Sequence, residues 1–224
     1  QQLDWQSEGT QQQHQTHLTL DSHQLKAVLA MQAGIKEQQW RANVQEFRLQ
    51  SDMGDWQLQK AWPIRLDLAK QQAELGSACW LQADASICLS QTKLLSSKQG
   101  ELALQLQQLP LNSLDPVLPP NLSLEGSASG QLAFNWLKGR LSELSWQLQS
   151  ATGLLRHQLT TPLDLPWREL SLTGGLKNFQ LTSSLQATLS KNSAIAANVE
   201  IKALNSAAPT LKANIQLAPL SLTF

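Results

Sequence analysis

Apolar and polar residues alternate with a period of two along most of this chain. The alternation is cleanest at Leu102, Leu104 and Leu106, with Ala103 and Gln105 between them. Three later runs share the pattern: Leu181, Leu185, Ala187 and Leu189; Ile195, Ala197, Val199 and Ile201; and Leu211, Ala213, Ile215 and Leu217. Successive side chains of a strand point to opposite faces, so each run predicts a strand with one apolar and one polar face. Such strands are typical of antiparallel sheets that have one side in water.

Turn-forming residues separate these runs at short intervals, from Gly34 near the start to residues 205–209 near the end. The spacing predicts an all-β protein of about a dozen strands, with at most one or two short helical turns. One helical turn is expected at residues 113–118, which lie between prolines. Residues 24–33 fit one face of a helix as well as they fit a strand, and we interpret them as a strand.

A quasi-repeat of the form apolar-x-x-apolar-x-apolar occurs three times. Its copies are Val44, Phe47 and Leu49; Leu141, Leu144 and Trp146; and Leu176, Phe179 and Leu181. Two apolar residues three positions apart break the parity of a strand, so each copy predicts a β-bulge or a one-residue shift of register. Chance in a leucine-rich chain is the other explanation, but the position of the copies beside turns favours a repeated hairpin element.

Leucine is the main apolar residue, with 44 leucines against four valines and six isoleucines. Since β-branched residues usually dominate strands, a leucine-built sheet offers a deformable aliphatic surface, although a bias in residue usage explains the composition equally well. The 17 basic residues balance the 17 acidic ones, so charge gives no reason to expect nucleic acid or an anionic membrane surface as a partner. No apolar run approaches the roughly 20 residues of a membrane-spanning helix.

The residue types that carry catalysis or bind metals form no recognisable site. The chain has no glycine-rich phosphate loop, nucleophile elbow or zinc-protease helix. On a strand that rises about 3.3 Å per residue, His17 and His23 would lie about 20 Å apart, which is too far to share a metal. The aspartates sit mostly at turns and strand ends, where backbone hydrogen bonding explains them. We therefore expect no enzymatic activity, no catalytic residues, no metal and no cofactor.

Two cysteines flank a turn-like segment. A hairpin centred on residues 83–84 pairs Trp80 with Ile87 and sets Cys79 directly opposite Cys88. Opposed residues have Cβ atoms roughly 4.5–5.5 Å apart, close to what a disulfide requires. The pattern predicts a Cys79–Cys88 disulfide and hence an oxidising compartment. Two reduced, buried cysteines are the alternative.

A block of specific residues in the middle of the chain resembles a known family. The block consists of Trp56-Gln57-Leu58, Cys79-Trp80, Cys88-Leu89, Leu109-Pro110-Leu111, Leu114-Asp115-Pro116-Val117-Leu118-Pro119, Leu122-Ser123-Leu124-Glu125-Gly126, Gly130 and Trp136. Over about residues 40–150 it resembles the middle part of the TamB family, the translocation and assembly module subunits within the AsmA-like group. The flanks agree with that family only in being amphipathic strands.

The resemblance implies a protein that one N-terminal helix anchors in the inner membrane of a Gram-negative bacterium and that crosses the periplasm. Its β-sheet would curl into a long open groove, a β-taco, with an apolar lining. The implied roles are phospholipid transport to the outer membrane and outer-membrane protein assembly, with the outer-membrane barrel TamA as partner. No catalytic residue carries over from the family. Since the sequence contains neither the anchor helix nor the family's C-terminal domain, we expect residues 1–224 to be a single elongated groove segment of a larger protein.

One-sided strands need something to cover their apolar face, because large exposed apolar patches are rare. Two sheets packed about 10 Å apart would cover it, and so would one sheet curled around an apolar occupant. Periodicity does not separate these arrangements, and the resemblance favours the groove, with phospholipid acyl chains inside. The residues expected to line it are Leu102, Leu104, Leu106, Leu122, Leu124, Leu181, Leu185, Leu189, Ile195, Val199, Ile201, Leu211, Ile215 and Leu217.

Two other functions fit the same strands. The first is a scaffold whose exposed edge strand pairs with strands of nascent outer-membrane proteins or autotransporters, without conducting lipid. The second is a surface or adhesin sandwich that has no role in lipid transport.

Overall fold

The structure is a computed structural model that describes residues 2–92, 95–158, 162–190, 193–206 and 208–218. Of the described residues, 76% lie in β-strands and 3% in helix. Every strand pair with a defined register is antiparallel. The protein is therefore all-β and antiparallel, which confirms the fold class predicted from the alternation.

The described residues form nineteen strands, more than the dozen expected. In chain order these are β1 (Gln2–Gly9), β2 (His14–Asp21), β3 (Leu25–Lys36), β4 (Gln39–Ser51), β5 (Gly54–Leu58), β6 (Trp62–Asp67), β7 (Gln72–Leu75), β8 (Ala78–Gln82), β9 (Ala85–Thr92), β10 (Leu95–Ser96), β11 (Gln99–Pro110), β12 (Leu122–Leu137), β13 (Arg140–Ser150), β14 (Gly153–His157), β15 (Leu163–Trp167), β16 (Glu169–Lys177), β17 (Gln180–Ser190), β18 (Ser193–Lys202) and β19 (Thr210–Leu217). The expected helical turn is a 3₁₀ helix at Leu111–Val117, and β3 confirms that residues 24–33 belong to a strand.

The chain forms two compact units. Unit 1 comprises Gln1–Gln105 and Asn135–Arg140, and unit 2 comprises Leu106–Phe134 and Leu141–Phe224. In unit 1, β1 to β4 pair as consecutive hairpins. Beyond β4 the pairing divides, because one part of β4 pairs with β5 and the other with β6. The two branches continue as β5–β8–β9 and β6–β7–β10.

A line of register shifts crosses the middle of unit 1. In β4 the pairing with β3 skips Gln45, which is an extra residue. The strand made of β5 and β6 likewise carries one more residue than the stretch of β4 that it faces. Extra residues bend a strand and increase its twist, so the sheet of unit 1 bends along this line, which we call the crease. Gln45 lies between Val44 and Phe47, which confirms the bulge predicted from the first copy of the quasi-repeat.

The third copy of the quasi-repeat has a different cause. Asn178 and Phe179 form the two-residue turn between β16 and β17, with φ of 51° and 60°. Two successive residues with positive φ are typical of the type I′ turn, which matches the twist of a hairpin. Leu176 and Leu181 pair directly across this turn. The predicted bulge was wrong at this copy, because the parity breaks at the turn and not within a strand.

Unit 2 is built mainly from consecutive hairpins. β13 pairs with β16, and β16 to β19 follow one another in the sheet. A second ladder joins β12 to β14 and β14 to β15. Among the described strands, β19 has a partner on one side only, and in unit 1 the same holds for β1.

Three tryptophans lie over glycines of neighbouring strands. The pairs are Trp136 with Gly100, Trp167 with Gly153, and Trp146 with Gly174. Two of the indoles also donate a hydrogen bond: Trp136 Nε1–H to the carbonyl oxygen of Ser96 at 2.8 Å, and Trp167 Nε1–H to Ser150 Oγ at 3.1 Å. Aromatic rings thus fill the space that glycine leaves on the face of a sheet.

Candidate functional site

Most of the large apolar residues in the paired strands of unit 1 lie on one face of its sheet. Directly paired residues of an antiparallel sheet share a face, and the pairing joins them into rows that cross the strands. The rows are Leu3, Leu20, Ala27, Leu49 and Trp56; Trp5, Leu18, Leu29 and Phe47; Ala33, Ala42, Ile64 and Leu75; and Ile35, Trp40, Leu66, Ala73 and Leu95. We call this surface the apolar face of unit 1.

Aromatic rings cluster on this face at the crease. The rings of Phe47 and Trp80 meet edge to face with centroids 6.5 Å apart, and those of Trp62 and Trp80 do so at 5.5 Å. Trp62 Nε1–H donates a hydrogen bond to the carbonyl oxygen of Gly76 at 2.9 Å. Edge-to-face pairs contribute roughly 0.5–1.5 kcal/mol beyond the area that they bury, so this cluster holds the bent strands in place.

The strands of unit 2 give a second apolar face with the same construction. Its rows are Leu148, Leu172, Leu185, Ala197 and Ile215; Leu144, Leu176, Leu181, Ile201 and Leu211; Leu170, Ala187, Ile195 and Leu217; and Trp146, Gly174, Ser183, Val199 and Ala213. We call it the apolar face of unit 2. Its aliphatic residues are continuous across β13 and β16–β19, apart from the small residues of the last row.

Neither face is sealed. Among the described residues, no large side chain is fully buried, and the most buried apolar residues are mainly small, such as Ala33, Ala42 and Ala78. Leu148, Leu172 and Leu185 are only half-buried. The strands with one partner are more open still, with Trp5 of β1 70% exposed and Ile215 of β19 66% exposed.

The residues expected to line the groove fall into three groups. Eight of them share the apolar face of unit 2: Leu181, Leu185, Ile195, Val199, Ile201, Leu211, Ile215 and Leu217. Leu124 shares a face with Leu155 and Leu165, and Leu122 with His157 and Leu163. In β11, Leu106 is buried and Leu102 and Leu104 are half-buried, while Leu189 lies at a register shift in β17. Their role in lining a groove remains a prediction.

Sequence reasoning missed the apolar face of unit 1. Its rows combine tryptophans and alanines with leucines, so the alternation is less regular than in the leucine runs. The signal was present in β3, where Ala27, Leu29, Met31 and Ala33 occupy alternate positions.

The disulfide predicted between Cys79 and Cys88 is present. The two residues are directly paired between β8 and β9, with Cα atoms 4.0 Å apart. Cys79 precedes Trp80, so the disulfide lies on the face of unit 1 opposite the aromatic cluster. It therefore ties a hairpin together without occupying the apolar face.

Polar side chains on the opposite faces form exposed ion pairs, such as Arg65 with Glu74 at 3.5 Å and Lys177 with Glu143 at 3.3 Å. The Lys70 backbone N–H donates to Asp67 Oδ1 at 3.0 Å, and this hydrogen bond lowers the pKa of the Asp67 carboxyl.

Within the described ranges, no three His, Cys, Asp or Glu side chains are grouped so as to hold a metal ion. No helix among the described residues has the length and apolar character to cross a membrane.

Comparison with known proteins identifies the family. The chain matches the family model of the TamB N-terminal domain over residues 1–224, beyond the stretch that carried the resemblance. It is similar to the translocation and assembly module subunit TamB of Haemophilus influenzae, with 24% identity over 136 residues. That alignment covers 60% of this chain and 10% of the relative, so the chain spans about a tenth of the relative's length. No solved structure matches the chain. On the match of the family model along its whole length, the chain belongs to the TamB family.

Proposed function

We propose that this segment is part of a periplasmic bridge that conducts phospholipid between the inner and outer membranes, with acyl chains lying on its apolar faces. The observation that carries the proposal is the apolar face of unit 2, three of whose rows are apolar from β16 to β19, while their leucines are only half-buried in β16 and β17 and are exposed in β19. A sheet that only stabilised itself would cover such a surface completely, because contiguous exposed apolar patches are rare.

Acyl chains suit this surface energetically. A chain of about 16 carbons gains roughly 13 kcal/mol on leaving water, at about 0.8 kcal/mol per CH₂. The rows run across the strands, so each further strand of a sheet makes its apolar rows longer. Aliphatic rows make no directional contacts, so acyl chains can slide along them without a fixed binding position.

Membership of the TamB family supports a role in the translocation and assembly module, whose name the Haemophilus influenzae relative carries. We infer the partners from this membership: the outer-membrane barrel TamA, phospholipids and nascent outer-membrane proteins. The corresponding location is the periplasm, within a protein anchored in the inner membrane of a Gram-negative bacterium. The Cys79–Cys88 disulfide supports an oxidising compartment of this kind.

A strand-pairing scaffold is the second candidate. The outer edge of β19 has no partner among the described strands, and β19 contains no proline that would block a further strand. A nascent outer-membrane strand could add to such an edge through backbone hydrogen bonds. This function needs the edge of β19, whereas lipid conduction needs the apolar faces.

The two functions separate with a pair of variants in β17. Leu185→Asp places a carboxylate on the apolar face of unit 2, and Gln186→Asp places the same group on the polar face one residue away. We expect the intact protein with Leu185→Asp to fold, to lose co-purified phospholipid and to fail to restore the outer-membrane barrier in cells. Gln186→Asp should behave as wild type. Normal barrier rescue by a stably folded Leu185→Asp protein would contradict lipid conduction and favour the scaffold.

A further inference from the structure

Four lysines follow one rim of unit 1, at the hairpin turns on one end of its strands. Lys36 precedes the β3–β4 turn, Lys70 lies in the β6–β7 turn, Lys98 ends the β10–β11 turn, and Lys138 lies in the β12–β13 turn. We call these residues the lysine rim. They are distant in sequence and meet at one edge because every second turn of an antiparallel sheet falls at the same end.

Backbone contacts join the turns of the lysine rim. The Leu68 N–H donates to the carbonyl oxygen of Gln38 at 2.9 Å, and the Gly139 N–H donates to that of Lys98 at 3.2 Å. Between these contacts, β10 pairs with β7 up to the turns. Three of the turns contain only two residues, and in two of these three both residues have positive φ. Such tight turns hold the neighbouring lysines at fixed positions. Successive turns are two strands apart, so neighbouring lysines are spaced roughly 10 Å.

Most of these lysines have no ion-pair partner in the described part of the chain, and the four of them outnumber the two acidic residues at the same rim, Glu37 and Asp67. Lys70 pairs with Asp67 at 3.5 Å. Lys36, Lys98 and Lys138 are exposed, and no carboxylate of the described residues lies within ion-pairing distance of them. Three ammonium groups of the rim are therefore free to meet an anion.

An apolar row lies directly inside the lysine rim. It runs through Ile35, Trp40, Leu66, Ala73 and Leu95, each of which lies one residue in from the end of its strand at the rim. At the rim, a shallow cavity of about 350 Å³ opens between β6, β7 and β10. Exposed aliphatic groups also lie at the rim: Leu68 in the β6–β7 turn is 50% exposed, and Leu137 at the end of β12 is 55% exposed.

The opposite rim of unit 1 carries the opposite charge. The turns at that end hold Asp52 and Asp84, and Asp21 and Asp55 lie beside them. Asp21 pairs with Lys26 at 3.5 Å. We call Asp52, Asp55 and Asp84 the aspartate rim. An amphiphile with an anionic head therefore meets attraction at one rim of the apolar face and repulsion at the other.

We propose that the lysine rim contacts the phosphates of phospholipids whose acyl chains lie on the apolar face of unit 1. This inference rests on the proposed lipid path and adds the orientation of the lipid within it. The head groups stay hydrated at the lysine rim, and the acyl chains point from there toward the crease. Lysine ammonium groups near an anionic lipid surface each strengthen association about fivefold, and salt screens the contribution.

The test uses the intact protein and phosphatidylglycerol vesicles that contain one of two photoreactive lipids. The first lipid carries its reactive group on the head and the second carries it at the end of an acyl chain, and labelled peptides are mapped by mass spectrometry. The variant is Lys36→Gln/Lys98→Gln/Lys138→Gln. Its matched control is Asp52→Asn/Asp55→Asn/Asp84→Asn, which neutralises the same number of exposed charges on the aspartate rim.

We expect the head probe to label lysine-rim peptides in the wild type. This labelling should be at least about fivefold weaker in the lysine variant, and also in the wild type in 1 M salt. The control should label as wild type, and the tail probe should label the apolar face in all three proteins. If head labelling is unchanged in the lysine variant, or is equal at both rims, the proposed orientation of the lipid is wrong. Tail labelling of the apolar face would in that case still support the lipid path. Absence of tail labelling in the wild type would overturn both proposals.

Discussion

Trp146 of β13 lies against Gly174 of β16, its direct partner across the sheet, so a Cβ atom on Gly174 would come within 2.5 Å of the indole ring. The same Cβ would also meet the backbone carbonyl oxygen of Thr182. Glycine is therefore needed here for close approach, and the ring covers the gap that glycine leaves on the apolar face of unit 2.

Gly174→Ala should lower the free energy of unfolding by about 1–3 kcal/mol, because overpacking forces the ring or a strand to shift. Urea denaturation followed by tryptophan fluorescence measures this change. Ser183→Ala is the matched control, since Ser183 pairs with Gly174 on the same face and a small truncation there should change stability by less than about 0.5 kcal/mol. Equal effects of the two variants would count against the Trp146–Gly174 contact.

The Cys79–Cys88 disulfide should stabilise unit 1 without supporting the lipid path. Replacing both cysteines with serine should cost about 2.5–3 kcal/mol of stability on the chain-entropy model for a loop of this size. Co-purified phospholipid should remain, because the disulfide lies on the face opposite the aromatic cluster. Alkylation before and after reduction checks the bond itself: complete labelling of both thiols in the unreduced protein would disprove it.

Replacing Phe179 with glycine should stabilise the turn that it forms with Asn178. Phe179 has φ of 60° and is 49% exposed, so it bears the cost of a left-handed backbone while burying little surface. Phe179→Gly creates the Asn-Gly pair that suits a type I′ turn and should stabilise unit 2 by about 1 kcal/mol. Phe179→Ala keeps the backbone penalty and should give no such gain. A thermal melt in which glycine destabilises as much as alanine would show that the ring makes contacts that outweigh the strain.

Period-two alternation predicted the all-β fold, and the position of Cys79 and Cys88 about a short turn predicted their disulfide. The crease was only partly predictable. The bulge at Gln45 left a parity break between Val44 and Phe47, but the same signal at Phe179 came from a turn, because local parity does not distinguish an extra strand residue from a turn residue. Cross-strand register decides between them, and register is a property of two strands together.

The charged rims were not predicted for a similar reason. Lys36, Lys98 and Lys138 are separated by tens of residues, and the balanced net charge of the chain hides their segregation from Asp52 and Asp84. They come together only when the order of the hairpins assigns each turn to one end of the sheet.

The central claim is that acyl chains lie on the apolar faces, and cross-linking from β19 tests it most directly. Ile215 and Gln216 are adjacent, similarly exposed and on opposite faces, so each can be replaced by a photoreactive phenylalanine analogue with little effect on folding. In cells that express the intact protein, illumination should attach phospholipid at position 215 and little or none at position 216. Equal labelling at both positions, or none at 215 while 216 is labelled, would contradict the account.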